Sequence, residues 1–266
     1  MSVLIAIPAR YASTRYPGKP LVPLTGATGV SMTLIERSWR AATSVAGVDR
    51  VVVATDDNRI RELSEGFGAE VVMTSENCQN GTERCAEAHK VLGSGYDIVV
   101  NLQGDAPLTP HWFVEDLITG LRAAPDAGVA TPVLRCDGDA LNSLLNDRKH
   151  GRVGGTTAVF ARDNSAMYFS KEVVPFTSET FGGDEPTPVF HHVGVYAYRP
   201  DALAAYPGWP TGPLEKLEGL EQLRFMENGR KVLCVEVDAK GRQFWELNNP
   251  QDVPKIEEMM AAMGLE

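Results

Sequence analysis

The stretch "SVLIAIPARYASTRYPGKP", residues 2–20, joins an apolar run to a loop that carries positive charge and no acid. The run at 2–7 predicts a β-strand buried on both faces, because it is short, aliphatic and does not alternate with polar residues. The loop contains Arg10, Arg15 and Lys19, whereas the whole chain has 35 acidic and 25 basic residues and its first acid is Glu36. A cationic loop directly after the first strand therefore points to an anionic ligand.

Short apolar runs alternate with helical patterns through the first half of the chain. Strands are predicted at 50–55, 70–74 and 97–105, and helices at 31–44, 58–68 and 82–93. Near-continuous valine and isoleucine runs separated by single helices are typical of parallel strands joined by crossover helices. The pattern predicts an α/β, Rossmann-like fold with a mostly parallel, mixed central sheet flanked by helices.

The second half of the chain is less regular. Strands are predicted at 128–134, 154–161, 191–200 and 231–237, helices at 213–229 and 250–263, and a Gly/Pro-rich loop at 179–189. The sequence shows no internal repeat and no low-complexity linker. We therefore predict one domain over 1–266, with 1–135 as a nucleotide-binding half and 136–266 as an acceptor-binding and dimerisation half that includes a smaller lid or dimerisation part.

Composition excludes several function classes. The formal net charge of −10 argues against broad binding to nucleic acid or anionic membranes, which requires a positive field. No apolar run approaches the roughly 20 residues of a membrane span. The four cysteines form no CxxC pair, so we expect reduced thiols in a cytoplasmic protein.

The basic loop is suited to phosphate. Guanidinium groups match phosphate oxygens two at a time, and a lysine adds a mobile point charge. The loop has neither a Walker A pattern nor a GxGxxG fingerprint, but it follows a strand at the sheet edge where open α/β folds bind ligands. It predicts a triphosphate site, and a solvated basic loop is the alternative.

Two further motifs carry candidate chemistry. In "NLQGD" (101–105), Asp105 follows a strand and could supply a carboxylate to Mg²⁺, which binds few carboxylates together with substrate phosphates. An ordinary turn aspartate is the alternative. In "NGTERCAE" (80–87), Thr82 is a candidate helix cap, and Arg84 opposes the positive end of the helix dipole. Arg84 is thus expected to face an anion, with a surface arginine as the alternative.

These motifs, in this order, resemble the 3-deoxy-manno-octulosonate cytidylyltransferases, or CMP-Kdo synthetases. The similar stretches are "IPARYASTRYPGKPL", "VVVATDD", "NGTERCAEA", "VNLQGDAPL", "AMYFSKEVVPF", "HHVGVYAYR" and "PLEKLEGLEQLRFMENG", which span most of the chain. The resemblance implies a nucleotidyltransferase fold that transfers CMP from CTP to the anomeric hydroxyl of an eight-carbon acidic sugar and releases pyrophosphate. It also implies a Mg²⁺ requirement, a cytoplasmic homodimer and a role in making lipopolysaccharide or capsule precursors.

The resemblance assigns residues to each substrate. CTP would be held by Arg10, Arg15, Lys19, Arg84 and Gln103, with Asp105 as the metal ligand, and the acceptor by His192, Tyr196, Glu221 and Gln222. Structural alternatives exist for three acceptor residues. His192 could be a satisfied structural histidine, Tyr196 a packed strand aromatic, and Glu221 an exposed helix residue paired with Lys216 or Arg224.

Four positions depart from the family pattern. Ala106 replaces an acid, His191 replaces an arginine, a lysine is missing from 154–160, and Asn248 replaces a second metal-binding aspartate. Glu246 shares a face with Asn248 if the segment is extended, so it is a candidate substitute ligand. These departures leave open a different acidic sugar or a phosphonate as acceptor, or a non-catalytic CTP-binding relative.

A glycosyltransferase is the competing enzyme class. Such enzymes often carry a D-x-D pair, and the chain has this pattern at 137–139, in an apparent loop. No second carboxylate neighbours Asp105 in the sequence, so this class is disfavoured.

Overall fold

The computed structural model describes residues 2–13, 16–93, 95–105, 107–153, 155–242, 245, 247 and 249–266. The strands are β1 Val3–Ala9, β2 Pro23–Thr25, β3 Ser31–Thr33, β4 Arg50–Thr55, β5 Glu70–Met73, β6 Ile98–Leu102, β7 Val129–Asp137, β8 Thr156–Phe160, β9 Ala166–Ser170, β10 Pro186–His192, β11 Val195–Tyr198 and β12 Val232–Glu236. The helices are α1 Leu34–Thr43, α2 Asn58–Gly66, α3 Gly81–Leu92, α4 His111–Ala123, α5 Gly138–Lys149, α6 Pro200–Ala205, α7 Pro213–Glu218, α8 Leu223–Glu227 and α9 Asp252–Met263. No helix in the described part of the chain is both long and apolar enough to cross a membrane.

The chain packs into two compact units, residues 1–115 with 239–266, and residues 116–238. In the first unit, β5, β4, β1 and β6 lie side by side in that order, and all three pairings are parallel. Ile5 lies opposite Val51 on one side and Val100 on the other. The central strand is buried over its aliphatic run, as the unbroken apolar pattern predicts.

The end of the chain belongs to the first unit. Helix α9 packs beside the β2–β3 hairpin, where Leu24, Leu34, Ile256 and Met260 form one buried apolar cluster. The backbone N–H of Thr25 also donates to a carboxylate oxygen of Glu257 at 2.7 Å. The two units therefore have bounds that differ from 1–135 and 136–266, and the roles assigned to those halves stay predictions.

In the second unit, β7 is the central strand. It pairs antiparallel with β11 and β10 and parallel with β12, and β10 continues through β8 to β9. Fully buried aromatic residues, including Phe169, Tyr198 and Phe225, fill its core. The predicted α/β fold with a mixed sheet and flanking helices is confirmed.

Several predicted elements are divided. The helix predicted at 213–229 is broken into α7 and α8 at Gly219, whose φ of 62° is left-handed and therefore suits glycine. The strand predicted at 191–200 is two strands, because β10 begins inside the predicted loop at 179–189 and β11 follows after a short break. The helix predicted at 31–44 begins only at Leu34, because 31–33 pair as a strand.

Helices α4 and α5 follow β6 and β7 and were not predicted from the sequence. The Asp137 carboxylate accepts a hydrogen bond from the backbone N–H of Ala140 at 2.8 Å and thereby caps α5. The D-x-D pattern at 137–139 is thus the start of a helix, and its placement in a loop was wrong.

Candidate functional site

The basic loop leaves the carboxyl end of β1, and Arg10 is exposed at its start. Tyr11 holds the loop in place, because its carbonyl accepts the Gly18 N–H at 2.9 Å and its ring packs on Gly18. The guanidinium carbon of Arg59 lies 3.3 Å from the centroid of the same ring, a cation–π contact. Gly18 has a φ of 73°, so a side chain there would be strained as well as crowded.

Lys19 and Asp105 meet where β1 and β6 end. The Lys19 ammonium donates to the Asp105 carboxylate at 2.6 Å, and the two side chains are 15% and 29% exposed. The carboxyl ends of parallel strands share one sheet edge, which brings together residues far apart in the sequence. The third predicted cation of the loop, Arg15, lies outside the described residues.

Gln103 lies against the start of α3. A side-chain carbon built at Gly81 would stand 3.2 Å from the Gln103 amide nitrogen and 3.1 Å from that of Asn101. Glycine at position 81 therefore lets the two amides pack on the first turn of the helix. Gln103 thus lies against the first turn of α3, and in the sequence it stands two residues before Asp105.

The start of α3 differs from its prediction. The cap is Asn80, whose side chain accepts the Glu83 N–H at 2.9 Å, and the Glu83 carboxylate accepts the Gln79 N–H at 2.7 Å. The assignment of Thr82 as the cap was wrong, because α3 begins at Gly81 and Thr82 is already a helical residue of its first turn.

Arg84 is a buried arginine with an acidic neighbour. It is 3% exposed, it donates to the Thr74 hydroxyl at 2.5 Å, and its guanidinium lies 3.4 Å from the Asp56 carboxylate. The surface alternative is thus wrong, and the anion that faces Arg84 is a protein carboxylate. Thr74 and Asp56 were not singled out in the sequence. Asp56 directly follows β4, and Thr74 directly follows β5.

One carboxylate stands at the candidate metal position. Within the described residues, no three His, Cys, Asp or Glu side chains cluster in a way that could hold a metal ion. Asp105 with phosphate oxygens is nevertheless a donor set that Mg²⁺ accepts. Glu246 and Asn248 lie outside the described residues, but Leu247 donates its N–H to the Asp105 carbonyl at 3.0 Å.

The predicted acceptor residues lie in the second unit. His192 is 5% exposed, and its two ring nitrogens lie 2.9 Å and 3.1 Å from the hydroxyls of Thr131 and Thr156. Burial, and then the neighbouring His191, lower the pKa of His192 to about 3. The ring is thus neutral and its nitrogens are partnered, as in the structural alternative, and contact with the acceptor stays a prediction.

Tyr196 and Gln222 are brought together. The Tyr196 hydroxyl donates to the Gln222 amide oxygen at 3.1 Å, and the Tyr196 ring centroid lies 5.7 Å from that of His192. The Gln222 nitrogen is buried and has no hydrogen-bond partner among the described residues. Buried polar groups rarely lack a hydrogen-bond partner, because an unsatisfied buried donor costs about 1–3 kcal/mol.

Glu221 is half-buried, and its carbonyl accepts the Tyr206 hydroxyl at 3.1 Å. Of the two cations proposed as its alternative partners, Arg224 instead forms a buried pair with Glu215, at 2.7 Å for each of two hydrogen bonds. This pair lies beside the turn that carries both Glu221 and Gln222.

A family model described as cytidylyltransferase matches residues 4–232. The chain belongs to the cytidylyltransferase family. A cytidylyltransferase of Maricaulis maris, named 3-deoxy-manno-octulosonate cytidylyltransferase, is 46% identical over 264 residues, which cover 99% of both chains. One of a Shewanella species, named 8-amino-3,8-dideoxy-manno-octulosonate cytidylyltransferase, is 37% identical over 98% of this chain and 100% of its own.

A solved cytidylyltransferase structure is similar over the full length. It is described as CMP:2-keto-3-deoxy-manno-octonic acid synthetase complexed with CTP, with a TM-score of 0.83 and 32% sequence identity. The match covers 99% of this chain and 100% of that one. The family that the sequence motifs resemble is thereby confirmed, and with it the nucleotidyltransferase fold and the enzyme class.

Proposed function

We propose that the protein transfers CMP from CTP to the anomeric hydroxyl of an acidic sugar of the 3-deoxy-manno-octulosonate type and releases pyrophosphate. The observation that carries the proposal is the contact between Lys19 and Asp105 at the ends of β1 and β6. It joins a cation suited to phosphate and a carboxylate suited to a divalent cation at one sheet edge. Family membership and the likeness to a protein complexed with CTP support the same reaction.

The chain's own residues would bind and orient the triphosphate. Arg10 and Lys19 neutralise its charge, with Arg15 as a third cation of the same loop, and Gln103 donates or accepts a hydrogen bond beside them. Lys19 must then exchange its contact with Asp105 for a phosphate oxygen, which leaves the carboxylate free to face a cation. Arg84 is buried against Asp56, and its contact with CTP stays a prediction.

Asp105 fits Mg²⁺ as a single protein carboxylate that shares the ion with phosphate oxygens. When bound, the ion would neutralise charge on the reacting phosphate. We propose Glu246 and Asn248 as further ligands, since Leu247 between them is hydrogen-bonded to the Asp105 backbone. Catalysis would rest on positioning and charge neutralisation, and no covalent enzyme intermediate is required.

The acceptor would contact the buried polar set His192, Tyr196 and Gln222, with Glu221 beside it. The Gln222 nitrogen is a donor suited to a sugar hydroxyl or carboxylate. The neighbouring His191 stands where the family pattern has an arginine, and burial lowers its pKa to about 4, so it is neutral at pH 7. A neutral imidazole cannot replace the ion pair of a guanidinium, which supports testing acceptors beyond the octulosonate.

We also propose that the protein forms a homodimer. Met167 and Phe176 are apolar side chains of the second unit that are 66% and 89% exposed. Exposed apolar surface of this kind is often covered by a partner. Light scattering after gel filtration would give the mass of a dimer, and a monomer mass would contradict the proposal.

The reaction is tested by pyrophosphate release. CTP, UTP, ATP and GTP are each combined with the octulosonate, its 8-amino analogue, a nine-carbon acidic sugar and a phosphonate. We expect turnover with CTP and an octulosonate-type sugar. Turnover that prefers ATP or GTP would contradict the nucleotide assignment, and CTP binding without turnover on any acceptor would identify a non-catalytic relative.

Two variants test the site itself. Lys19→Gln removes a charge-assisted hydrogen bond worth about 1.5–3 kcal/mol, so kcat/KM for CTP should fall roughly 10- to 100-fold. Asp105→Asn should abolish turnover at ordinary Mg²⁺ concentrations. The matched controls are Lys231→Gln and Asp126→Asn, from an ion pair in the second unit. Equal activity of the site variants and these controls would contradict the site.

A further inference from the structure

A cavity of about 190 Å³ lies in the first unit. One face of α1 lines it with Arg37, Arg40 and Ala41, and Ser44 follows at the end of the helix. The other walls are residues 107–109 and 111, Arg242, and residues 260, 265 and 266. None of the described candidate CTP-binding residues, Arg10, Lys19, Arg84, Gln103 and Asp105, is part of this lining. The cavity is thus distinct from the site proposed for the reaction.

The lining is basic although the protein is acidic. It contains three arginines and His111, while Glu266 is its one acid among the described residues. Arg40 is also bonded to Glu36, at 2.8 Å, and Glu266 accepts the Thr28 N–H at 2.8 Å. A positive wall of this kind attracts small anions in a chain whose net charge is −10.

Arg37 is the central observation. The residue is 4% exposed, and one terminal nitrogen donates to the carbonyls of Leu24 at 2.6 Å and Val30 at 3.2 Å. Its Nε and its other terminal nitrogen are buried and have no hydrogen-bond partner among the described residues. Burial lowers the pKa of Arg37 from its ordinary value, while Glu266 and Glu36 oppose that shift. A charged group with unmade hydrogen bonds is costly, and an oxyanion would satisfy it.

The amino-terminal end of α4 meets the same cavity. Thr109 and His111 line it, and the helix runs for 13 residues from His111 to Ala123. In the first turn the Phe113 N–H donates to the Pro110 carbonyl at 3.1 Å. The amino-terminal end of a helix nevertheless carries the positive end of its dipole. The positive end of this helix and the buried Arg37 therefore border one space, and both favour an anion there.

We propose that this cavity binds a small tetrahedral oxyanion, namely inorganic phosphate or the phosphate of a small monoester. Arg37 donates to it from the buried wall, and Arg242 and Arg40 supply charge from the open side. The volume lies below the roughly 300–1,000 Å³ of pockets for drug-sized ligands, so it suits a phosphate group better than a whole nucleotide. Occupation would tie together α1, the start of α4 and the end of the chain.

The test is titration calorimetry with inorganic phosphate, and in a second arm with glycerol 3-phosphate. Because phosphate can also enter the CTP site, the full chain carries Lys19→Gln in every experiment. Arg242→Gln and Arg40→Gln are added singly, and Arg162→Gln, an exposed arginine of the second unit, is the matched control. We expect saturable one-site binding, weakened about tenfold or more by each cavity variant and unchanged by the control, as for the loss of a charged donor.

Arg37→Lys keeps the positive charge but loses the planar guanidinium group and its paired N–H donors, so it should also weaken binding. Since that residue supports the fold, its result counts only if circular dichroism shows the native fold, and the Arg242 variant keeps the test decisive. Tighter binding of the monoester than of phosphate would identify the monoester as the ligand, and the reverse would identify phosphate. Absence of binding at millimolar phosphate, competition by CTP, or equal affinity of the cavity variants and the control would each overturn the proposal.

Discussion

The buried ion pair between Glu215 and Arg224 offers a quantitative test of the second unit. Two hydrogen bonds of 2.7 Å join the carboxylate to the guanidinium, and the side chains are 8% and 3% exposed. The guanidinium carbon also lies 4.2 Å from the ring centroid of Tyr206. The pair thus connects α7 to α8 across the turn that carries the proposed acceptor residues Glu221 and Gln222.

Glu215→Gln removes the negative charge and leaves Arg224 buried without a counter-ion. Breaking such a pair costs about 3–5 kcal/mol, because the desolvated charge is no longer compensated. At about 2–4 °C per kcal/mol for a chain of this size, the melting temperature should fall by roughly 6–20 °C. Differential scanning calorimetry measures the change, and the acceptor KM should rise in the same variant.

Two comparisons decide whether burial is the cause. Glu236→Gln breaks a pair with Arg135 whose side chains are 50% and 43% exposed, so it should cost less than about 1 kcal/mol. The double variant Glu215→Leu with Arg224→Met removes both charges and should be more stable than Glu215→Gln alone. A melting temperature for Glu215→Gln equal to that of Glu236→Gln would refute the reasoning.

Three further predictions concern single side chains. Because the pKa of His192 is about 3 in the folded protein and near 6.5 when unfolded, stability should decline as pH falls below about 6.5, by about 2 kcal/mol from pH 7 to pH 5. The pKa of His191 is also lowered, to about 4, so His191 adds a similar loss in every variant. Denaturant unfolding at both pH values should therefore show a loss about 2 kcal/mol smaller in His192→Gln than in His150→Gln, an exposed control; an equal loss in both would contradict the assignment. Burial and the carboxylate of Glu87 raise the pKa of Cys78 to about 12, so iodoacetamide at pH 8 should alkylate it about a thousandfold more slowly than a free thiol. Rapid labelling of Cys78 in the folded protein, followed by mass spectrometry, would contradict this. Asn80→Ala removes the cap of α3 and should cost about 1 kcal/mol in urea unfolding, whereas Asn80→Asp, which retains the cap, should cost little; equal losses in the two variants would argue against capping.

Local patterns predicted much of the first unit. The aliphatic runs of β1, β4 and β6 are buried and parallel, because a strand covered on both faces needs an unbroken apolar sequence. The charge pattern also placed Lys19 and Asp105 at one sheet edge, since carboxyl ends of parallel strands coincide. The enzyme class was predicted only from the resemblance to family motifs, because hydrophobic and charge patterns do not identify a reaction.

Other features depend on contacts that no local pattern encodes. Arg84 was expected to face an anion. The tertiary packing places it beside Asp56 and buries it, and neither fact could be predicted from its own segment. The break between α7 and α8 follows from the left-handed Gly219, since the helical pattern continues through it.

The sequence by itself determined the four parallel strands of the first unit, the cationic loop and the carboxylate that meets it, because each depends on the composition of one short segment. Only the tertiary structure decided which buried charges are partnered. Glu215 pairs with Arg224, while two nitrogens of Arg37 have no partner among the described residues. The physical reason is that desolvation and hydrogen bonding depend on what packs around a group, and the chain returns distant segments to the same place: Lys19 meets Asp105 across 86 residues, and Thr25 meets Glu257 across 232.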